Sequence, residues 1–198
     1  PTNTQIMYVG TGEGWSNLDA QRGAGVWKSS NGGLVFERLL STNNSTFYHT
    51  QKIVVNQTGV YVATKAGGVM RSTDGGTSFT KVLGSTVPIG ASNQISDLEI
   101  GADGTIYAGI GIFTSGSVWK STSGNANTWT KLNNGTNGFP TSGFERVEIA
   151  VAPNDSNVLY AITQDASTNG LYNIYYSANK GTSWTTCAKP ADADGGIP

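Results

Sequence analysis

Apolar and polar side chains alternate with period two over residues 144–152 of this chain. Val147, Ile149 and Val151 fall on one face of the pattern, and Arg146 and Glu148 fall on the other. This alternation predicts a β-strand with one buried face. A turn-forming stretch follows at 153–157, and the nearly all-apolar segment 158–162 predicts a second strand, buried on both faces. A third strand is predicted at 171–177 and a fourth at 183–187.

The same order of four short strands recurs upstream. Predicted strands at 52–56, 60–64, 68–72 and 78–83 make one unit, and those at 95–100, 105–110, 117–121 and 128–132 make the next. A repeat of about 40–55 residues with four strands is typical of a β-propeller blade, which buries its faces only against neighbouring blades. We therefore predict an all-β chain, a β-propeller with four-stranded antiparallel blades. A repeat of four-stranded β-sandwiches is the alternative.

The first repeat is predicted to be incomplete. Residues 6–10 match the second strand of the later repeats, so its first strand is missing, and residues 188–198 have turn chemistry that supplies no substitute. The predicted boundaries are about 1–40 for blade 1, lacking its first strand, 51–84 for blade 2, 94–133 for blade 3 and 144–188 for blade 4. We expect these four blades, which occupy the whole of 1–198, to be part of a larger propeller.

A polar motif lies between the third and fourth strands of every repeat. We call its four copies the repeat turns: residues 29–36, 72–79, 121–129 and 177–184, whose first serines stand 43, 49 and 56 residues apart. The second copy reads Ser-Thr-Asp-Gly-Gly-Thr-Ser-Phe. A short Asp or Asn side chain can accept backbone N–H bonds within such a turn, glycine supplies positive φ, and the final aromatic ring can cover the turn.

These four turns resemble Asp-box repeats, also called bacterial neuraminidase repeats. Such repeats occur in sialidases, sortilin-type receptor ectodomains, xyloglucan-degrading glycosidases and a photosystem assembly factor. The resemblance implies that the turns lie at the blade periphery, away from any active site, and have a structural role. The residues to which it assigns that role are Ser29, Asn31, Gly33, Phe36, Ser72, Asp74, Gly76, Phe79, Ser121, Trp129, Ser177, Asn179, Gly181 and Trp184.

Composition and charge narrow the classes of partner. Only 13% of the 198 residues are charged and the formal net charge is −1, so the chain has no basic surface suited to nucleic acid or anionic membrane. No apolar run approaches the roughly 18 residues of a membrane span. One cysteine and one histidine leave no predicted metal site, and no cofactor motif is present. The low charge and the Thr/Asn-rich loops favour a secreted or cell-surface protein.

The candidate binding and catalytic residues are concentrated in the loop after the first predicted strand, residues 11–24. It holds Glu13, Trp15, Asp19 and Arg22, the mixture of aromatic ring and carboxylates that binds a sugar face and its hydroxyls. Glu13 and Asp19 could also act as general acid and base if they stand about 5–10 Å apart. The alternative is a purely structural loop, in which Arg22 pairs with Asp19 and Trp15 covers a neighbouring blade.

The sequence therefore predicts a non-catalytic binding or scaffolding propeller at the cell exterior, with a protein or polysaccharide ligand at Glu13, Trp15, Asp19 and Arg22. The remaining blades of a longer parent chain would be its other partners. A fragment of a polysaccharide-cleaving glycoside hydrolase is the alternative. Sialidase activity is not expected, because the Phe-Arg-Ile-Pro stretch that the resemblance would require is absent.

Overall fold

The computed structural model describes residues 3–15, 18–87 and 92–190 and contains fifteen strands arranged in four antiparallel sheets. Each sheet is built from consecutive strands, so each is one blade of a propeller. The predicted fold class is confirmed. The sequence-based expectations for residues 1–2, 16–17 and 191–198 lie outside the described residues.

Blade 1 is a three-stranded sheet of β1 (Met7–Gly10), β2 (Val26–Ser29) and β3 (Glu37–Arg38). Two short 3-10 helices, Leu40–Thr42 and Ser45–Phe47, lead to blade 2. Blade 2 contains β4 (Thr50–Asn56), β5 (Gly59–Thr64), β6 (Gly68–Ser72) and β7 (Thr80–Leu83). In blade 1 the edge strand β1 corresponds to β5, the second strand of blade 2. The two strands share a similar sequence, Met-Tyr-Val in β1 and Val-Tyr-Val in β5.

Blade 3 contains β8 (Ile95–Ile100), β9 (Ile106–Ile110), β10 (Ser117–Ser121) and β11 (Thr130–Lys131). Blade 4 contains β12 (Phe144–Val151), β13 (Leu159–Asp165), β14 (Leu171–Ser177) and β15 (Thr185–Thr186). The first strands of blades 2, 3 and 4 are the inner strands: β4 packs against β8, and β8 packs against β12. The fourth strands are shorter than predicted, because the repeat turns occupy their first residues.

The core lies between the blades. One cluster joins blades 2 and 3 through residues such as Tyr61, Leu83 and Leu98, all fully buried. A second joins blades 3 and 4, and a third joins blades 1 and 2. Since apolar side chains on both faces of β5 and β9 are buried, these strands lack the solvent face of an ordinary surface sheet.

Each inner strand of the complete blades carries a register shift near its start. The shifts lie at 50–52, 95–97 and 144–147, at the same place in the three repeats. Such a β-bulge bends the strand and redirects its side chains. It is the reason why the simple alternation of the sequence does not predict the orientation of every side chain on the inner strands.

Candidate functional site

The loop that joins β1 to β2, residues 11–25, crosses from blade 1 to the inner strand of blade 2. The Thr50 amide donates a hydrogen bond to the Thr11 carbonyl (3.1 Å), and the Gly23 amide donates to the Tyr48 carbonyl (2.8 Å). Inside the loop, the Glu13 amide donates to the Gln21 carbonyl (2.9 Å). Backbone bonds therefore fix the described parts of the loop, 11–15 and 18–25, against the next blade.

Trp15 extends from this loop to blade 4. The Arg146 guanidinium, on β12, lies over its indole ring with the Cζ atom 3.5 Å from the ring centroid. On its other side the Arg146 Nε donates to the Glu148 carboxylate at 2.9 Å. A cation–π contact and an ion pair thus hold Arg146 and place Trp15 at the inner strand of blade 4. Trp15 is half-buried.

The other candidate residues of the loop lie at its surface. Arg22 is exposed, and its guanidinium lies over the Tyr48 ring with 3.8 Å between Cζ and the ring centroid. Glu13 and Asp19 are also exposed. The loop therefore combines two arginine–aromatic stacks with two solvent-facing carboxylates. This arrangement places exposed hydrogen-bond acceptors in the same loop as the stacked rings.

A charged network on the inner strands was not predicted. Lys52 on β4 pairs with Asp97 on β8 (3.1 Å) and also with Glu99. The second Asp97 carboxylate oxygen accepts a hydrogen bond from the Ile149 amide of blade 4 (2.8 Å). Asp97 is only 2% exposed, so its charge is compensated by partners from two neighbouring blades.

The pKa values within this network follow from its geometry. Burial disfavours the charge of Lys52, but its bonds to Glu99 and Asp97 outweigh that effect and raise the lysine pKa above its ordinary value. Burial raises the pKa of Glu148, and the nearby negative charge of Asp97 adds to the shift. The two carboxylates on adjacent inner strands therefore have unlike surroundings: Asp97 is buried against Lys52 and the Ile149 amide, whereas Glu148 is half-buried beside Arg146.

The signal for this network was present in the sequence. Predicted strand 95–100 contains Asp97 and Glu99 among apolar residues. In predicted strand 144–152, the charged residues alternate with the apolar residues that face the core. Charges within a buried strand are placed only where partners are available. Their partners lie on other blades, far away along the chain, so periodicity within one strand could not identify them.

The repeat turns are held by one serine hydroxyl and one acceptor side chain each. In the second copy, the Ser72 hydroxyl accepts from the Gly76 amide (2.8 Å) and donates to the Asp74 carboxylate (2.7 Å). Asp74 also accepts from the Ser78 amide (2.9 Å) and the Ser78 hydroxyl (2.6 Å). These bonds, led by the one from the Ser78 hydroxyl, lower the pKa of Asp74 well below its usual range.

Asn31 and Asn179 occupy the same place in the first and fourth copies. The Val35 amide donates to Asn31 at 3.0 Å, and the Ser183 amide donates to Asn179 at 2.9 Å. In the third copy the Ser121 hydroxyl instead lies 2.7 Å from the Thr128 hydroxyl, because the turn is one residue longer. The closing rings differ in burial: Trp129 and Trp184 are 6% exposed, whereas Phe36 and Phe79 are half-buried.

Within 3–15, 18–87 and 92–190, no group of three or more His, Cys, Asp or Glu side chains could hold a metal ion. No helix in the same part of the chain has the length and apolar character required to cross a bilayer.

Comparison with solved structures supports the propeller fold. A GH74 enzyme of Niastella koreensis matches 94% of this chain with 24% identity and a TM-score of 0.68, and the GH74 xyloglucanase from Xanthomonas campestris matches 95% with 20% identity and a TM-score of 0.67. An ancestral GH74 enzyme matches 89% with 20% identity and a TM-score of 0.58. The matches cover 28%, 29% and 26% of those proteins, so this chain spans less than a third of their length. No protein-family model and no curated protein matches the chain.

Proposed function

We propose that this chain is a non-catalytic propeller module that binds a glycan at the loop of residues 11–25, outside the cell. The observation that carries the proposal is the pair of arginine–aromatic stacks at that loop: Trp15 stacked on Arg146, and Arg22 stacked on Tyr48. Glycan sites combine an aromatic surface with a few polar groups held in fixed positions. The exposed Glu13 and Asp19 carboxylates are suited to accept hydrogen bonds from sugar hydroxyls.

Binding without catalysis agrees with the surroundings of these carboxylates. The general acid of a glycosidase lies in an environment of low polarity that keeps it protonated. Glu13 and Asp19 are both exposed on the loop. The buried Asp97 accepts bonds from Lys52 and from the Ile149 amide. These bonds connect blade 3 to blades 2 and 4.

A glycan array followed by calorimetric titration tests the binding proposal. We expect Trp15→Ala to abolish binding, because it removes the aromatic surface and releases Arg146, and Glu13→Gln to weaken it about tenfold through the loss of charged acceptors. Glu37→Gln, an equally exposed carboxylate on the outer strand β3, is the matched control and should bind as the wild type does. Equal binding by all four proteins would contradict the proposal.

Glycoside hydrolysis is the second candidate, and one observation favours it. Burial raises the pKa of Glu148, while Asp97 on the adjacent inner strand pairs with Lys52 and accepts a hydrogen bond from the Ile149 amide. Unlike environments of two neighbouring carboxylates are a feature of glycosidase sites. The fold shared with the GH74 enzymes makes xyloglucan the first substrate to try.

Release of reducing sugar from xyloglucan separates the two candidates. A binding module releases none. Release by the wild type that disappears in Glu13→Gln, Asp19→Asn or Glu148→Gln would instead establish hydrolysis and identify the carboxylate that performs it.

A further inference from the structure

The loop of blade 3 that joins β9 to β10, residues 111–116, exposes a large aromatic side chain. Phe113 is 54% exposed, although its neighbour Ile112 is buried with 3% exposure. The Phe113 backbone has a φ of 55°, in the left-handed region that a bulky residue rarely adopts. The other described residues with positive φ are glycines, two asparagines and one lysine. Unfavourable backbone conformations of this kind cluster at ligand-binding and catalytic sites.

The exposure of Phe113 does not arise from the ends of the chain. Blade 3 has a neighbour on each side, because β8 packs against β4 of blade 2 and against β12 of blade 4. The loop itself packs on blade 4: the Gly116 amide donates to the Phe144 carbonyl at 3.0 Å. A Cβ atom on Gly111 or Gly116 would collide with the Glu145 carbonyl oxygen, so glycine is required for this close approach. The ring is therefore exposed with both neighbouring blades in place.

The loop of residues 11–25 occupies the equivalent place in blade 1. Each of the two loops connects the second strand of its blade to the third and bonds the first residue of the next inner strand. The Thr11 carbonyl accepts from the Thr50 amide, where β4 begins, and the Gly116 amide donates to the Phe144 carbonyl, where β12 begins. Both loops therefore lie at the same edge of the propeller, the edge at which the inner strands begin.

Strand β12 brings the rings of Phe113 and Trp15 into one region. Trp15 lies against Arg146, with 3.5 Å between the guanidinium Cζ and the ring centroid. Arg146 directly follows Glu145, on which the loop of Phe113 packs. Phe113 stands two residues after Gly111, so their Cα atoms are at most about 8 Å apart. Two aromatic side chains from different blades thus extend from the region of adjacent residues of one inner strand.

We propose that Phe113 is a second aromatic platform of the glycan site, and that the ligand is a polysaccharide chain long enough to contact both Trp15 and Phe113. This inference rests on the glycan binding proposed for the loop of residues 11–25. An aromatic ring offers a flat apolar surface on which the apolar face of a sugar ring can pack. Because the two platforms belong to different blades, they contact different sugar units of one chain. A single sugar unit contacts one platform only, so the site selects ligands by length.

Calorimetric titration with glycans of graded length tests this inference. The probes are xyloglucan, xylan and mannan, each as short fragments, as long fragments and as the intact polysaccharide. The affinity of the wild type should rise with fragment length. Phe113→Ala should bind long fragments about tenfold more weakly than the wild type, because it removes one aromatic contact, and should bind short fragments equally well. Phe113→Trp retains a ring at this position and should keep the preference for long fragments.

Phe113→Gly separates the effect of the ring from the effect of the loop conformation. Glycine adopts a positive φ without steric cost, so this variant should melt no earlier than the wild type. It should nevertheless lose affinity for long fragments as Phe113→Ala does. Leu34→Ala is the matched control, since Leu34 is an 84% exposed apolar residue in the first repeat turn, at the opposite edge of its blade. This control should bind every fragment as the wild type does.

The outcomes distinguish the second platform from glycan binding itself. Long fragments that bind the wild type, Phe113→Ala and Phe113→Gly equally well, while Trp15→Ala loses binding, would overturn the role of Phe113 and leave the site at Trp15 in place. An equal loss of affinity in Leu34→Ala would also overturn it. A wild type that binds none of the three polysaccharides, at any length, would overturn glycan binding and the second platform together.

Discussion

The acceptor residue of each repeat turn shows what a single side chain contributes to this fold. Asp74, Asn31 and Asn179 all accept a backbone N–H from the residue four places later, at 2.9–3.0 Å. Two of the three are neutral amides, so the turn requires a short acceptor rather than a charge. The resemblance to known repeats indicated these positions, but the sequence could not show that Thr128 replaces the acceptor in the longer third turn.

Removal of the Asp74 side chain tests this role. Asp74→Ala leaves the Ser78 amide and the Ser72 hydroxyl without their acceptor, so the melting temperature should fall by a few degrees. Asp74→Asn reproduces the arrangement found at Asn31 and Asn179 and should recover most of the loss. Thermal denaturation followed by circular dichroism provides the measurement. Equal losses in both variants would show that the charge, rather than the acceptor geometry, matters.

Asp74 should also contribute to the acid sensitivity of the chain. Its pKa in the folded state is lowered from the ordinary 3.8, chiefly by the hydrogen bond from the Ser78 hydroxyl. A lowered folded-state pKa stabilises the fold at pH values above the unfolded pKa, and this contribution is lost as the pH falls below about 3.8 towards the folded pKa. Urea unfolding of Asp74→Asn should therefore depend less on pH in that range than unfolding of the wild type. Parallel pH profiles would contradict this assignment.

At the scale of the strand, burial depends on the position of a blade in the array rather than on its own sequence. Met7 on β1 and Leu159 on β13 occupy the same place in their repeats, yet Met7 is 41% exposed and Leu159 is fully buried. Period-two alternation and apolar runs predicted the strands and their order well. They could not predict which equivalent residues would be covered, because covering is supplied by the neighbouring blade.

Truncation of these two residues measures that difference. Leu159→Ala should lower the free energy of unfolding by about 2–5 kcal/mol, since it opens a cavity between blades 3 and 4. Met7→Ala should change it by no more than about 0.5 kcal/mol in the monomer, as expected at an exposed site. Denaturant titration at low protein concentration is the measurement. A large loss from Met7→Ala would mean that the Met7 side chain is covered in the monomer.

At the scale of the whole molecule, the blades form an arc. The residues that connect the blades are different from the residues of the candidate site. Lys28, Arg71 and Lys120 each bond the repeat turn of the next blade and so connect the blades. The loop of residues 11–25 instead crosses to the inner strands of blades 2 and 4, where Trp15 meets Arg146. The sequence predicted this loop as the site, but the contact with blade 4 depends on the curvature of the array, which no local pattern contains.

Glycan titration of two variants side by side tests most directly whether ligand binding and fold stability depend on different residues. Trp15→Ala should fold with a nearly unchanged melting temperature and lose glycan binding, whereas Asp74→Ala should melt earlier and bind as the wild type does at temperatures where it remains folded. The opposite result, with binding retained in Trp15→Ala and lost in folded Asp74→Ala, would place the ligand at the repeat turns and contradict this account.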